Sequence, residues 1–182
     1  MERQFDKVRR IDRQETDNAV LHTLLDNSVS CTVAVPTQEY PLVQATFFAF
    51  DKVTDEVIFH FSKYGFSGQE ITPGKHITIS VYKYGKLYSA ERAVDFGGEY
   101  QSVIIYGRIR IVDDEAEKME AMKFFFDRYF SQIPSSDYKP FTVTEANPIH
   151  VVKVKIDKWI GKQHLLPQAA IQSFYPEHSP VI

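Results

Sequence analysis

Residues Val57 to Gln69 constrain the fold more than any other part of this chain. Val57, Phe59 and Phe61 alternate with Ile58, His60 and Ser62, the two-residue period of a β-strand. One face of that strand is wholly apolar, and the other ends in a histidine and a serine. The strand runs into Lys63-Tyr64-Gly65-Phe66-Ser67-Gly68-Gln69, a turn with flexible backbone N–H groups beside Ser67 and Gln69. A strand end of this kind can hold a flat ring on one side and an anionic group on the other.

More strands surround it. Cys31, Val33 and Val35 alternate with Thr32 and Ala34 before Pro36. Leu42 to Phe50 reads as one strand, joined to residues 57–62 by the polar turn Asp51 to Asp55. His76 to Tyr84, Glu99 to Val112 and Ile149 to Ile156 complete a set of six. Two helices flank them. The first begins at Thr16 as N-cap, with apolar Val20, Leu21, Leu24 and Leu25. The second begins at Asp114, with Met119, Met122, Phe126, Tyr129 and Phe130 at helical spacing. Short strands and short turns predict a mainly β, antiparallel barrel rather than a doubly wound sheet.

Several function classes find no support. The formal net charge of -3 gives no clustered positive field for nucleic acid. The basic cluster Lys7, Arg9, Arg10 and Arg13 is interrupted by Asp6 and Asp12 and reads as a solvated arm. No apolar run approaches the roughly twenty residues that a membrane helix needs. Cys31 is the single cysteine, so no disulfide forms within the chain, and a cytoplasmic setting is expected. Neither Gly-x-Gly-x-x-Gly nor a Walker-type loop is present. The six histidines show no metal-ligand spacing. No Gly-x-Ser-x-Gly elbow or suggestive carboxylate pair occurs. The aromatic share of 14% is high and suits a thick core, a planar-ligand site or a subunit interface.

The ordered combination of Arg9-Arg10-x-Asp12-Arg13, Phe59-His60 with Gly65, Tyr100-x-Ser102-Val103 with Gly107, Glu117-Lys118 and Gly161-Lys162 resembles a known family. It is similar to the nitroimidazole-resistance (Nim-type) branch of the pyridoxamine 5′-phosphate oxidase-like flavoproteins. The resemblance covers roughly residues 7 to 165. It implies a six-stranded split β-barrel over residues 1–165 that binds FMN at a homodimer interface. Residues 166–182 are expected to be a C-terminal tail packed on the barrel or on a partner subunit. Carried over residue by residue, Gln44, Ala45 and Thr46 lie along the flavin edge. Phe59, His60 and Ser62 meet the ring and ribityl chain. Ser67 and Gln69 reach the phosphate, with Ser102 nearby, and Trp159 and Lys162 approach from the partner.

The resemblance implies an FMN-dependent oxidoreductase acting on small nitro- or quinone-like aromatics, with His60 as the hydrogen-bonding or proton-supplying group. The alternative is a flavin- or haem-binding module without turnover, in sensing or stress response. One departure stands out. The family's loop lysine, two residues after the glycine, is Ser67 here. Losing a cation beside a phosphate weakens binding by about 1–3 kcal/mol, which leaves Lys63 or Lys75 to compensate. The arginine pattern of true pyridoxamine phosphate oxidases does not follow Trp159, so that activity is not expected.

Overall fold

The structure, a computed structural model, describes residues 8–176. Lys7 and Asp6 of the basic arm, and residues 177–182 of the tail, lie outside the described residues. The chain divides into two compact units: residues 29–80 with 105–158, and residues 8–28 with 81–104 and 159–176.

The first-named unit is built on a sheet. Its strands are β2 (Ser30–Val35), β3 (Leu42–Phe47), β4 (Ala49–Asp51) and β5 (Glu56–Ser62), with the adjoining parts of β6 (His76–Ser89), β7 (Gly97–Ile111) and β8 (Ile149–His164). The strand order is β3-β2-β6-β7-β8-β5-β4. The pairs β2–β3, β2–β6, β4–β5 and β5–β8 are antiparallel. The two ends of this path, β3 and β4, are separated by Phe48 alone, so the sheet returns on itself as a split barrel. The expected strand over 42–50 is therefore two strands. The cause is tertiary. Phe48 is fully buried at the corner, and its N–H donates to Tyr129 Oη at 3.3 Å. That hydroxyl also reaches the carbonyl oxygens of Val29, at 2.8 Å, and Phe48. A helix side chain thus satisfies the backbone that the break exposes.

Register explains the two faces of β5. Val57 and Phe59 stand opposite Val154 and Val152, and all four are fully buried, filling the barrel. Ile58 and Val151 lie beneath α3 (Glu115–Phe130), where Ala121, Met122 and Phe125 complete a second apolar cluster. Burying an aromatic such as Phe125 contributes about 2–3 kcal/mol. Phe125 and Ala121 belong to the buried stripe in addition to the expected Met122, while Phe130 is exposed. Asp114 caps α3 by accepting the Glu117 N–H at 2.8 Å. Glu117 does not reach back as in a full capping box. Arg110 and Lys153 hold its carboxylate at 2.7–2.9 Å, and their hydrogen bonds pull its pKa down to about 2. Cys31 is buried in β2, and burial pushes its thiol up to about 12, so it is no thiolate nucleophile.

In the other unit, α1 (Asn18–Asp26) buries Leu21, Leu24 and Leu25. Its cap is Asp17, one residue after the expected Thr16, because the Asp17 carboxylate accepts the Ala19 N–H at 2.8 Å. β8 continues past Ile156 because β1 (Gln14–Glu15) pairs with its end, Gln14 facing Lys162. β6 continues past Tyr84, and β9 (Gln172–Phe174) of the tail pairs with it from Leu87 to Ser89. Among the described residues no helix is long and apolar enough to cross a membrane.

Candidate functional site

The turn after β5 is more ordered than a flexible loop. It folds as the short helix α2 (Phe66–Glu70), backed against the end of the strand. Gly68 is buried there, and a Cβ on it would lie 2.2 Å from the Ser62 carbonyl oxygen. Only glycine permits that approach. Lys63 N–H donates to the Pro148 carbonyl at 2.9 Å, and Tyr64 N–H donates to Ser62 Oγ at 3.3 Å. This packing carries Ser67 to β3, where its hydroxyl donates to Gln44 Oε1. Gln44 and Ser67, distant in sequence and both expected at one site, are therefore in direct contact.

The other expected residues are placed as follows. Thr46 donates its hydroxyl to the Phe47 carbonyl at 3.2 Å. Ala45 and Gln69 are exposed. The side chain of Phe59 is fully buried and meets Phe61 edge-on at 5.1 Å in the barrel interior. His60 points to the helix side and meets Phe125 edge-on at 5.2 Å. Its Nδ1 is enclosed without a hydrogen-bond partner among the described residues, and burial lowers its pKa, so the imidazole is neutral near pH 7. Lys75 does not stand free for an anion, because its Nζ bonds Glu70 O and Oε2, each at 3.0 Å. Ser102, Trp159 and Lys162 belong to the other unit. Ser102 is half-buried, Trp159 meets His22 edge-on at 5.3 Å, and Lys162 lies in the β1–β8 ladder.

A family model for pyridoxamine 5′-phosphate oxidase matches residues 17–163. The chain belongs to the pyridoxamine 5′-phosphate oxidase family. Among solved structures it is similar to the flavocytochrome Anf3 from Azotobacter vinelandii, with 24% identity over 92% of this chain and 76% of that one, and a TM-score of 0.79. It is also similar to an FAD and heme binding protein from Mycobacterium smegmatis, with 20% identity, coverage of 83% and 73%, and a TM-score of 0.74. A candidate 5-nitroimidazole antibiotic resistance protein from Bacteroides thetaiotaomicron aligns with 18% identity, coverage of 82% and 86%, and a TM-score of 0.63. At these identities the likeness concerns the split-barrel fold of the oxidase family. No curated protein sequence matches the chain.

Sequence reasoning missed one feature of this family member. In the unit that holds Ser102, the β6–β7 hairpin walls a cavity of about 600 Å³ lined by tyrosines and arginines. The signal was available: Tyr82 and Tyr84 share a strand face by the period of two, and Gly97-Gly98 opens the strand that carries Tyr100.

Proposed function

We propose that this protein binds a flavin, FMN, as a cytoplasmic homodimer and is an oxidoreductase toward small nitro- or quinone-like aromatics. The observation that carries the reading is the Ser67–Gln44 hydrogen bond, which joins two separate segments that the family resemblance assigns to one cofactor. The donor set fits the ring and ribityl part of a flavin. Gln44, Thr46, Ser62, Ser67 and Gln69 are neutral amide and hydroxyl groups, and exposed Tyr64 and Phe66 stand on the same turn. A bound flavin supplies the redox chemistry, while the protein binds it and orients it.

In this reading Gln44 binds the flavin edge and Ser67, with Gln69, the phosphate, the first two giving up their mutual bond. Ser102, together with the partner's Trp159 and the partner's Lys162, is what the family pattern adds. His60, as a neutral imidazole, donates or accepts one hydrogen bond. The homodimer is supported by Val43 and Phe47 of β3, which are 60% and 58% exposed on a strand that, among the described residues, pairs on one side only, with β2. Such an apolar edge calls for a partner.

An absorbance spectrum of the purified protein, before and after adding FMN, tests the reading. Flavin bands that stay with the protein through gel filtration are expected. Colourless protein that takes up neither FMN nor FAD would sink it. Unaltered flavin affinity and reduction rate in His60→Ala would remove the role given to His60.

A further inference from the structure

The cavity of the β6–β7 hairpin falls within the size range of small-molecule sites. Tyr82, Tyr84, Tyr88, Tyr100, Arg13 and His164 are among its walls, and no residue assigned to the flavin lines it. The rings of Tyr82 and Tyr100 stack, 22° from parallel with centroids 6.1 Å apart, an aromatic pair that a further ring can extend. Tyr82 and Tyr84 remain 59% and 49% exposed. Open aromatic faces of this kind are what a stacked ring covers.

The two guanidinium groups at the cavity differ. Arg10 grips Asp12 with two prongs, Nε to Oδ1 at 2.8 Å and NH2 to Oδ2 at 2.6 Å, so both are engaged. The backbone N–H of Arg13 donates to the Arg10 carbonyl at 3.0 Å, but its side chain has no hydrogen-bond or ion-pair partner among the described residues. Its Nε is enclosed and unpartnered, and its guanidinium lies 5.9 Å from the centre of the Tyr100 ring. The wall acids leave it so. Glu99 accepts the Lys86 and Leu166 N–H groups at 3.0 and 3.1 Å, and Asp95 is exposed. His164 lies 2.7 Å from Tyr88 Oη through Nε2. Enclosure, then Arg13 and Arg10, lower its pKa, so it adds no second charge near pH 7.

We infer that this cavity binds a flat aromatic carboxylate, its ring against Tyr82 and Tyr100 and its acid group on the terminal nitrogens of Arg13. A guanidinium fork matches a carboxylate. One unpaired cation beside two wall acids suits a monoanion better than a dianionic phosphate. A free aromatic acid and a porphyrin with propionates share this chemistry. The inference stands apart from the flavin reading.

Calorimetric titration of the full-length protein with 2-naphthoate, and with uncharged 2-naphthylmethanol, tests it. Flavin content is recorded by absorbance in the same samples. Saturable naphthoate binding is expected, one per chain, with the alcohol weaker by about tenfold or more. Arg13→Gln weakens naphthoate by about the same factor, leaves the alcohol and the flavin content unaltered, and is partly rescued by Arg13→Lys. Tyr82→Ala, at an exposed position, weakens both ligands. Haemin that displaces naphthoate identifies a porphyrin as a source, and haemin without effect leaves the smaller acid. Absent naphthoate binding, or equal affinity in wild type and Arg13→Gln, overturns the inference whatever the flavin content.

Discussion

The polar cluster of β3 and α2 and the tyrosine cavity of the β6–β7 hairpin leave different groups unsatisfied. In the cluster, Ser67 bonds Gln44, Ser62 holds the Tyr64 N–H, and Lys75 holds Glu70. A ligand there must replace bonds that the cluster already makes, so each exchange of one hydrogen bond for another gains little. In the cavity, the Arg13 side chain has no such partner among the described residues, and pairing a charged group is worth about 1.5–3 kcal/mol. The cluster is organised by its own bonds and the cavity by a charge that awaits one. The glycines differ in the same sense. Gly68 is pressed on backbone and Gly97 on a side chain.

The largest effect is expected at Gly68. A methyl group there would meet the Ser62 and Lys63 carbonyl oxygens at 2.2 and 2.8 Å, and neither can rotate away. Gly68→Ala should cost about 3 kcal/mol in urea unfolding. A loss below about 1 kcal/mol would mean that α2 is loosely seated, and the contrast would fail. Gly97→Ala should cost less, about 1–2 kcal/mol. Its Cβ would lie 2.5 Å from Tyr88 Oη and 2.7 Å from Cζ, and the ring can swing aside at the expense of its bond to His164. Equal costs at the two sites would erase the difference between a backbone-clamped surface and an adaptable wall.

The alternation of Val57, Phe59 and Phe61 was enough to show a strand with a buried face, and the ordered motifs showed the family. What lay beyond local pattern was decided by partners distant in the chain. Phe48 looks like any strand residue until Tyr129 meets its backbone. The end of β8 extends because β1 is there to pair with it. Phe59 and His60 are neighbours in one motif, but the two-residue period sends Phe59 into the barrel and His60 against Phe125. The cavity escaped notice because its tyrosines and arginines come from three separate stretches, and no single stretch carries a motif. Whether Arg13 is paired depends on Asp12 choosing Arg10, a competition between neighbours that spacing does not resolve.

The smallest expected effect separates the two regions by their histidines. His60 and His164 both titrate below the ordinary histidine value, for different reasons. Burial alone acts on His60. Burial leads at His164, but Arg13 and Arg10 add to it, against Asp12 and Glu99. Arg13→Gln should therefore raise the pKa of His164 and leave that of His60 unmoved, read from imidazole C–H shifts in an NMR titration. The stability consequence follows in sign. A histidine whose folded pKa is depressed binds fewer protons than it does unfolded, so its contribution is complete above about pH 6.5 and declines as the pH falls below that value. The variant should lose part of the acid sensitivity due to His164 and keep that due to His60. If both histidines move, or neither does, Arg13 does not act as a charge confined to the cavity.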